Sequence, residues 1–390
     1  MNFLEAILAV LALLSLALVL WQWLAAARFP LHRRAADLSF APPVSLLKPL
    51  KGSDTTTAES LQSWFRQDYA GPVQILFGIA DANDPAGPIV RELIEKNPGR
   101  DAQLVVCAES LGPSGKVSTL AQLERLAKHD LILVSDADVR VPPDFLANVV
   151  APLRDPRTGL VNCFYRLANP ATAAMHCEAV AVNTDFWSQV LQSTSLKPLD
   201  FALGAVMLTR RKGLAQIGGF TALANCLADD YQLGHRIAQN GHRIALCPVV
   251  VECWNPPMDW RGVWKHQLRW ARTIRVSQPV PYFFSLLSNA TLWPLLWLIA
   301  SLALSKPFWI PFAAACLLIR IILAQNLQRR FTSGNSRLAP PWLVPVKDLL
   351  QAAVWAGAFL GNTVEWHGRR IKLRRDGTLI EEKQVVPRSW

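Results

Sequence analysis

The chain has 390 residues, 51% hydrophobic and 18% charged, with a formal net charge of +11. A charged fraction below the roughly 25% usual in soluble domains excludes a disordered chain and argues against an ordinary soluble enzyme. The positive excess admits nucleic acid or an anionic membrane surface as partner, and its placement along the chain decides between them.

Residues 6–25 form an uncharged apolar run, long enough at about 1.5 Å per residue to cross a hydrocarbon core of about 30 Å. A cleaved signal peptide would need a basic start. Here the charge preceding the run is Glu5, and Trp21 and Trp23 lie where an interfacial belt would be. Residues 1–27 are therefore expected to be an uncleaved transmembrane anchor. Arg28, Arg33 and Arg34 follow it, which places the next segment in the cytoplasm.

Residues 28–260 read as a cytoplasmic α/β domain. Short β-rich runs at 44–47, 73–80, 104–107 and 131–135 alternate with amphipathic stretches at 57–67, 88–96 and 118–128. That rhythm predicts βαβ units and a mostly parallel sheet, whose ligands bind at the carboxyl ends of the strands. Asp81 follows the second run, and Asp136 and Asp138 follow the fourth. Two carboxylates at i and i+2 beyond a buried strand can jointly hold a hard divalent cation, Mg²⁺ or Mn²⁺, that bridges a diphosphate. A further acidic pair, Asp229 and Asp230, lies about ninety residues on. Adjacent like charges repel, so they require ample solvent or a purpose.

Residues 261–279 are expected to be an amphipathic interfacial helix. Trp260, Trp264 and Leu268 share one face, and Arg261, Lys265, Arg269, Arg272 and Arg275 supply five positive charges without an acid. Residues 280–361 follow as membrane segments. Residues 282–304 are long enough to span, and 307–324 form a second span carrying Arg320, with Arg329, Arg330 and Arg337 marking its cytoplasmic side. In the third, 342–361, Lys347 and Asp348 interrupt the apolar run and favour a re-entrant or interfacial segment over a true span. Residues 362–390 are expected to be a basic cytoplasmic tail. The positive excess thus gathers at 28–34, 261–275, 320–337 and 362–390, while 35–260 carry 19 Lys/Arg against 23 Asp/Glu. The charge faces a lipid bilayer, and no nucleic-acid partner is expected.

Other chemistries find little support. Residues 112–117 resemble a phosphate loop, but Ser110 stands where the earlier glycine belongs and Val117 where Ser or Thr belongs. Seven cysteines without a C-x-x-C pair suit a reducing cytoplasm. A transporter would need polar residues converging within its spans, and these hold little besides Arg320, Lys347 and Asp348.

Asp81, Asp136 and Asp138, Asp230, and Arg269 with Trp270 occur in the order of the D, D, D, (Q/R)xxRW signature of family 2-like glycosyltransferases. Segments 43–52, 81–85, 115–120, 135–142, 217–220 and 228–231 bring the resemblance closer to family 21, the ceramide glucosyltransferase type; the chain also resembles the hopanoid-biosynthesis glycosyltransferases. The resemblance implies an α/β GT-A fold, a Rossmann-like nucleotide-diphospho-sugar transferase domain, with an N-terminal transmembrane helix and C-terminal transmembrane or interfacial helices. It also implies a UDP-sugar-dependent, inverting hexosyltransferase acting on a membrane lipid. In it Asp81 would hold the nucleoside, Asp136 uridine or ribose, and Asp138 the Mg²⁺ or Mn²⁺. Asp230 would be the general base, with Asp229 beside it. Arg269 would lie near the diphosphate, Trp270 would line the sugar or lipid head, and Lys116 would be a further nucleotide contact. One position departs from the signature: the Q/R place is His266, whose imidazole is not permanently charged. The family name implies glucose and ceramide. Transfer of N-acetylglucosamine to a hopanoid polyol shares every motif, and a processive polysaccharide synthase shares the D, D, D, QxxRW set. The expected location is a multi-pass protein of the bacterial inner membrane, its catalytic domain facing the cytoplasm.

Overall fold

The computed structural model describes residues 3–226, 228–333, 338–366, 369–374 and 378–381. Arg337 and the last nine residues of the expected tail lie outside them. Eight strands form one sheet: β1 (Val44–Leu50), β2 (Val73–Ile79), β3 (Asp101–Val106), β4 (Leu131–Ser135), β5 (Val139–Arg140), β6 (Thr158–Leu167), β7 (Val206–Arg210) and β8 (Arg243–Cys253). Their order is β3-β2-β1-β4-β7-β6-β8-β5. β3, β2, β1 and β4 run parallel, β7 inserts antiparallel between β4 and β6, and β6 and β8 are again parallel. Every residue of β1 and β4 is buried, as expected of parallel strands covered on both faces. Pro49 has no N–H to give, and it falls beyond Leu47, where β1 has outrun its pairing with β4.

The strand and helix expectations hold with boundaries shifted by a few residues. The helix expected at 118–128 starts earlier, at Gly115, because Ser114 caps it by accepting the Val117 N–H at 3.4 Å. That shift puts Lys116 in the first helical turn, beside the end of β4.

The N-terminal helix, Phe3–Arg28, is long and apolar enough to cross a membrane, and so is Pro307–Phe331. Ala9, Ala12 and Ser15 are buried on one face of the N-terminal helix. Small residues there let neighbouring backbones approach, as is usual where membrane helices pack. Trp23 Nε1 donates to Asn326 Oδ1 at 2.8 Å and ties the two helices. At the inner end, Phe331 stacks on Trp187 (5.0 Å between centroids, 9° between planes) and meets Phe164 of β6 edge-on. The foot of this apolar helix therefore sits in the core of the α/β domain.

Two expected segments take a more particular form. The span expected at 282–304 is broken: Pro279–Ser288 and Leu292–Ala303 meet at a 45° bend. The break falls at Asn289–Thr291, whose polar groups are satisfied sideways: Asn289 Nδ2 donates to the Asp348 carbonyl at 2.7 Å and Thr291 Oγ1 to Asp348 Oδ2 at 2.5 Å. Nor do Lys347 and Asp348 merely interrupt an apolar run. They lie in helix Leu343–Ala358 and, with Arg320 and Asp185, make a buried cluster of two cations and two anions. Arg320 Nη2 reaches Asp185 Oδ2 at 2.8 Å and Asp348 Oδ1 at 2.9 Å, and Lys347 pairs with both carboxylates. Asp185 belongs to the catalytic domain, in a wide helical turn (Ala181–Phe186) between helices Ala173–Val180 and Trp187–Thr194. At 16 residues, helix Leu343–Ala358 is about 24 Å long, short of a full crossing.

Described residues of the expected tail fold into an antiparallel sheet of β9 (Thr363–Trp366), β10 (Arg369–Leu373) and β11 (Leu379–Glu381). Leu379 N–H donates to the Asn225 carbonyl at 2.9 Å, which joins this sheet to the segment leading into Asp229.

Because the four-charge cluster is neutral as a set, removing one member leaves an uncompensated buried charge, a loss of about 3–5 kcal/mol. Arg320→Met is expected to lower the thermal unfolding midpoint sharply in detergent or nanodiscs. Arg320→Met/Asp185→Asn should recover part of that drop, because it restores neutrality.

Candidate active site

The site lies where β1, β2 and β4 end, as the sheet's direction dictates. Asp136 follows β4 directly, and its N–H donates to the Ala205 carbonyl at 3.2 Å, anchoring the turn to the start of β7. Trp254 N–H holds the Asp138 carbonyl at 3.0 Å, and Trp64 Nε1 holds that of Val139 at 3.1 Å. The Asp136–Asp138 turn is thus pinned from three sides before any ligand arrives.

Lys116 joins this turn to the second acidic pair. Its Nζ lies 2.7 Å from Asp136 Oδ1 and 3.2 Å from Asp229 Oδ2. Burial works against its charge, but Asp136 and Asp229 outweigh that and hold the ammonium above its usual range. Asp229 and Asp230 open helix Asp229–Gln239, where the backbone dipole favours negative charge. Asp230 Oδ1 accepts the Tyr231 N–H at 2.7 Å. Its Oδ2 faces Gly204, where a β-carbon would come within 2.7 Å of it, so only glycine leaves the carboxylate room. The helix itself packs close: a β-carbon at Gly234 would fall 2.2 Å from the Ala202 nitrogen.

Burial, with Asp229 second, pushes the Asp230 carboxyl up to about 6. Burial, with Asp136 second, pushes Asp138 up to about 6 as well. Arg269, from helix Trp260–Ser277, is largely buried and makes no ion pair within 4 Å among the described residues. Burial lowers its guanidinium from the usual range, against the opposing fields of Asp230 and Asp136. Trp270 packs against the sheet's core cluster and lies 4.3 Å from the His266 ring, tilted by 51°. His266 Nδ1 pairs with Glu178 Oε1 at 2.8 Å.

The structure therefore brings Lys116, Asp136, Asp138, Asp229, Asp230 and Arg269 within one electrostatic neighbourhood, with Trp270 and His266 beside it. Asp81 stands apart. It is exposed, and its carboxylate accepts the Asn83 N–H of its own turn at 2.9 Å. The carboxylate that ties this turn to the end of β1 is Asp84, which accepts the Gly52 N–H at 3.0 and 3.1 Å.

Two residues escaped the sequence reading. Lys48 is fully buried in β1, and its Nζ donates to the Asp136 carbonyl at 2.6 Å and to Ser135 Oγ at 3.2 Å. Burial pulls its ammonium down to about 7, against Asp138 and Asp136. A lysine inside an otherwise apolar strand was the available signal, since a buried charge demands partners. Glu178, in helix Ala173–Val180, is the other, and no local pattern marked it.

The basic helix does more inside the protein than its amphipathic pattern predicts. Trp264 and Leu268 pack against the Leu343–Ala358 helix, while Trp260 is exposed. Arg272 bonds the Thr363 carbonyl, and Arg275 bonds the Gly361 carbonyl at 3.2 Å and Asn362 Oδ1.

No group of three or more His, Cys, Asp or Glu side chains among the described residues forms a closed metal cage. Asp136 and Asp138 nevertheless fit a divalent ion of the Mg²⁺ kind. Such ions keep several water ligands and bind through one or two carboxylates plus substrate phosphates. The Asp138 carboxyl is raised first by burial and then by the Asp136 charge beside it, and a cation would offset both.

The curated relatives that match include ceramide glucosyltransferase 3 of Caenorhabditis elegans, 25% identical over 229 residues, or 56% of this chain and 48% of that protein. The ceramide glucosyltransferase of Candida albicans is 36% identical over 121 residues, 28% of this chain and 22% of that one. A probable glycosyltransferase of Bacillus subtilis is 25% identical over 237 residues, 59% and 55% of the two chains. The chain thus spans about half the length, or less, of these relatives. Among solved structures, a mannosyltransferase from Pyrobaculum calidifontis in complex with GDP-Man and Mn²⁺ superposes with a TM-score of 0.54 at 23% identity. The likeness covers 92% of this chain and 99% of that one, and it shows that the two share the GT-A fold. The family model of glycosyl transferase family 21 matches residues 6–379, nearly the whole chain, and the protein belongs to that family.

Proposed function

We propose that the protein is a membrane-bound, inverting glycosyltransferase that moves a hexose from a UDP-sugar to a lipid hydroxyl, glucose and ceramide being the leading pair. The observation that carries this is the Lys116 bridge, which sets the Asp229–Asp230 pair beside the diphosphate turn at Asp136–Asp138. The entry of the membrane helix Ile310–Phe331 into the domain's core supports a lipid acceptor, because it keeps that site next to the bilayer. The relatives named as ceramide glucosyltransferases support the same acceptor class.

In this reading Asp230 Oδ2 takes the proton of the acceptor hydroxyl while its oxygen bonds the anomeric carbon from the face opposite the diphosphate. The carbon–oxygen bond to the diphosphate breaks, and UDP leaves with the electron pair. Lys116 and the unpaired Arg269 oppose the charge that grows on the leaving group. Trp270 supplies a flat apolar wall for the sugar or the lipid head, and Asp81 and Asp136 hold the nucleoside. Asp138, with Asp136, would hold Mg²⁺ or Mn²⁺, which when bound neutralises diphosphate charge. The basic stretches at 28–34 and 320–337 support a cytoplasmic orientation for the catalytic domain, in this reading at a bacterial inner membrane.

The direct test incubates the reconstituted protein with labelled UDP-glucose or UDP-N-acetylglucosamine and with ceramide, diacylglycerol or a hopanoid polyol. A labelled monoglycosyl lipid is expected. Product on none of these lipids, or a growing polymer, would overturn the reading. Asp230→Asn should lower kcat by about 10²–10⁴-fold while leaving UDP-sugar binding within a few-fold of the parent, by titration calorimetry. The base must be deprotonated to work, so turnover at saturating donor and metal should fall as the pH drops through about 6, losing tenfold per unit below it. Chelation with EDTA should abolish transfer, and Mg²⁺ or Mn²⁺ should restore it. Asp138→Asn should raise the metal concentration needed for half-maximal activity at least tenfold.

A further inference from the structure

The Q/R position of the family signature is His266, and the structure shows what holds that ring. Glu178 is 2% exposed, and its Oε1 accepts both His266 Nδ1–H at 2.8 Å and the Gln267 amide at 2.7 Å. Its other oxygen, Oε2, is buried without a hydrogen-bond partner among the described residues. A carboxylate in such a place costs stability relative to an apolar side chain. What it supplies is orientation. An ionised carboxylate only accepts hydrogen bonds, so the ring nitrogen facing it must carry the hydrogen. In the neutral ring that leaves Nε2 as a bare acceptor. Nε2 has no partner among the described residues, and the ring lies against Trp270, one turn from Arg269.

We propose that Glu178 is a positioning residue that fixes His266 as the Nδ1–H tautomer, so that Nε2 accepts a hydrogen bond from a hydroxyl group of the bound substrates. Glutamine or arginine at this place presents donors, suited to phosphate oxygens. An imidazole backed by a carboxylate presents an acceptor, suited to a sugar hydroxyl or to a hydroxyl of the acceptor. Gln267 sits on the same carboxylate oxygen and keeps the carboxylate from rotating away. The tautomer assignment stands by itself; the ligand contact rests on the proposed transferase reading.

The tautomer is read first, from nitrogen-15 spectra of histidine-labelled protein in nanodiscs, with the His266 signal identified by its loss in His266→Gln. Under conditions where the ring is neutral, the wild type should show Nδ1–H, the form a free ring disfavours, and Glu178→Gln should shift it toward Nε2–H. An Nε2–H ring in the wild type overturns the proposal, whether or not any lipid is glycosylated. The kinetic arm uses Glu178→Gln, which keeps the side chain's volume, His266→Gln, and the double variant. Each single change should lower kcat/KM about tenfold or more. The double variant should be no worse than His266→Gln within about twofold, because an amide in place of the ring has no tautomer to fix. A rise in donor KM assigns the hydroxyl to the sugar, and a rise in lipid KM assigns it to the acceptor. Effects that multiply, with equal falls in unfolding temperature in both backgrounds, would make Glu178 mere scaffold and overturn the proposal. So would unchanged turnover in both single variants. A wild type that glycosylates no lipid defeats the transferase reading, and the spectra still decide the dyad.

Discussion

One ammonium group organises the site. Lys116 lies between the acidic turn after β4 and the acidic start of a helix ninety residues later, within hydrogen-bonding distance of Asp136 and Asp229. Without it, four carboxylates would face one another in a mostly buried space. Two of them, Asp138 and Asp230, already hold their protons more tightly than usual. Lys48 supports the same turn from beneath, through the Asp136 carbonyl, and Arg269 faces it from the basic helix. Counted formally, four anions meet three cations. The balance leaves room for a divalent cation and a diphosphate to enter as a neutral pair. Electrostatic preorganisation of this kind requires no rearrangement at the moment of reaction.

The same logic recurs where the domain meets its long apolar helices, with the opposite outcome. Asp185, Arg320, Lys347 and Asp348 pair their charges with one another, and Arg320 Nη1 is left buried without a hydrogen-bond partner among the described residues. Asp185 comes from the catalytic domain and the other three from helices after it, so the cluster works as a lock between the two parts. Thr291 and Asn289 add the broken helix to the same lock through Asp348. The proposed site keeps Arg269 without an ion pair among the described residues, whereas the junction balances its charges as a set.

The first four strands, the helices between them and their parallel run were legible because they depend on local pattern, whereas the later half of the sheet, with β7 antiparallel, was not. Buried β-rich runs predict strands, and a parallel sheet predicts where ligands bind. What local pattern misses is pairing across the chain. Lys347 and Asp348 read as interruptions because Asp185 lies 162 positions before Lys347. Glu178 drew no expectation because its partner, His266, is 88 residues away. Lys48 could have been noticed, since a lysine in a strand with no exposed position must be answered by something polar. Asp81 shows the reverse case: a motif residue correctly placed at a strand's end whose contacts stay within its own turn.

The basic helix joins these themes. Its five cations suggested a surface helix on anionic lipid, yet three of them work inside the protein. Arg269 lies in the fields of Asp230 and Asp136, while Arg272 and Arg275 cap the chain at Gly361–Thr363, where it enters the C-terminal sheet. That sheet in turn bonds the segment before Asp229. Helix Trp260–Ser277 therefore touches the proposed base by two routes, directly through the field of Arg269 and indirectly through the sheet. On its other face, Trp264 and Leu268 pack on helix Leu343–Ala358, which carries Lys347 and Asp348. A displacement of that helix would thus be felt at Arg269 and at Asp230 together.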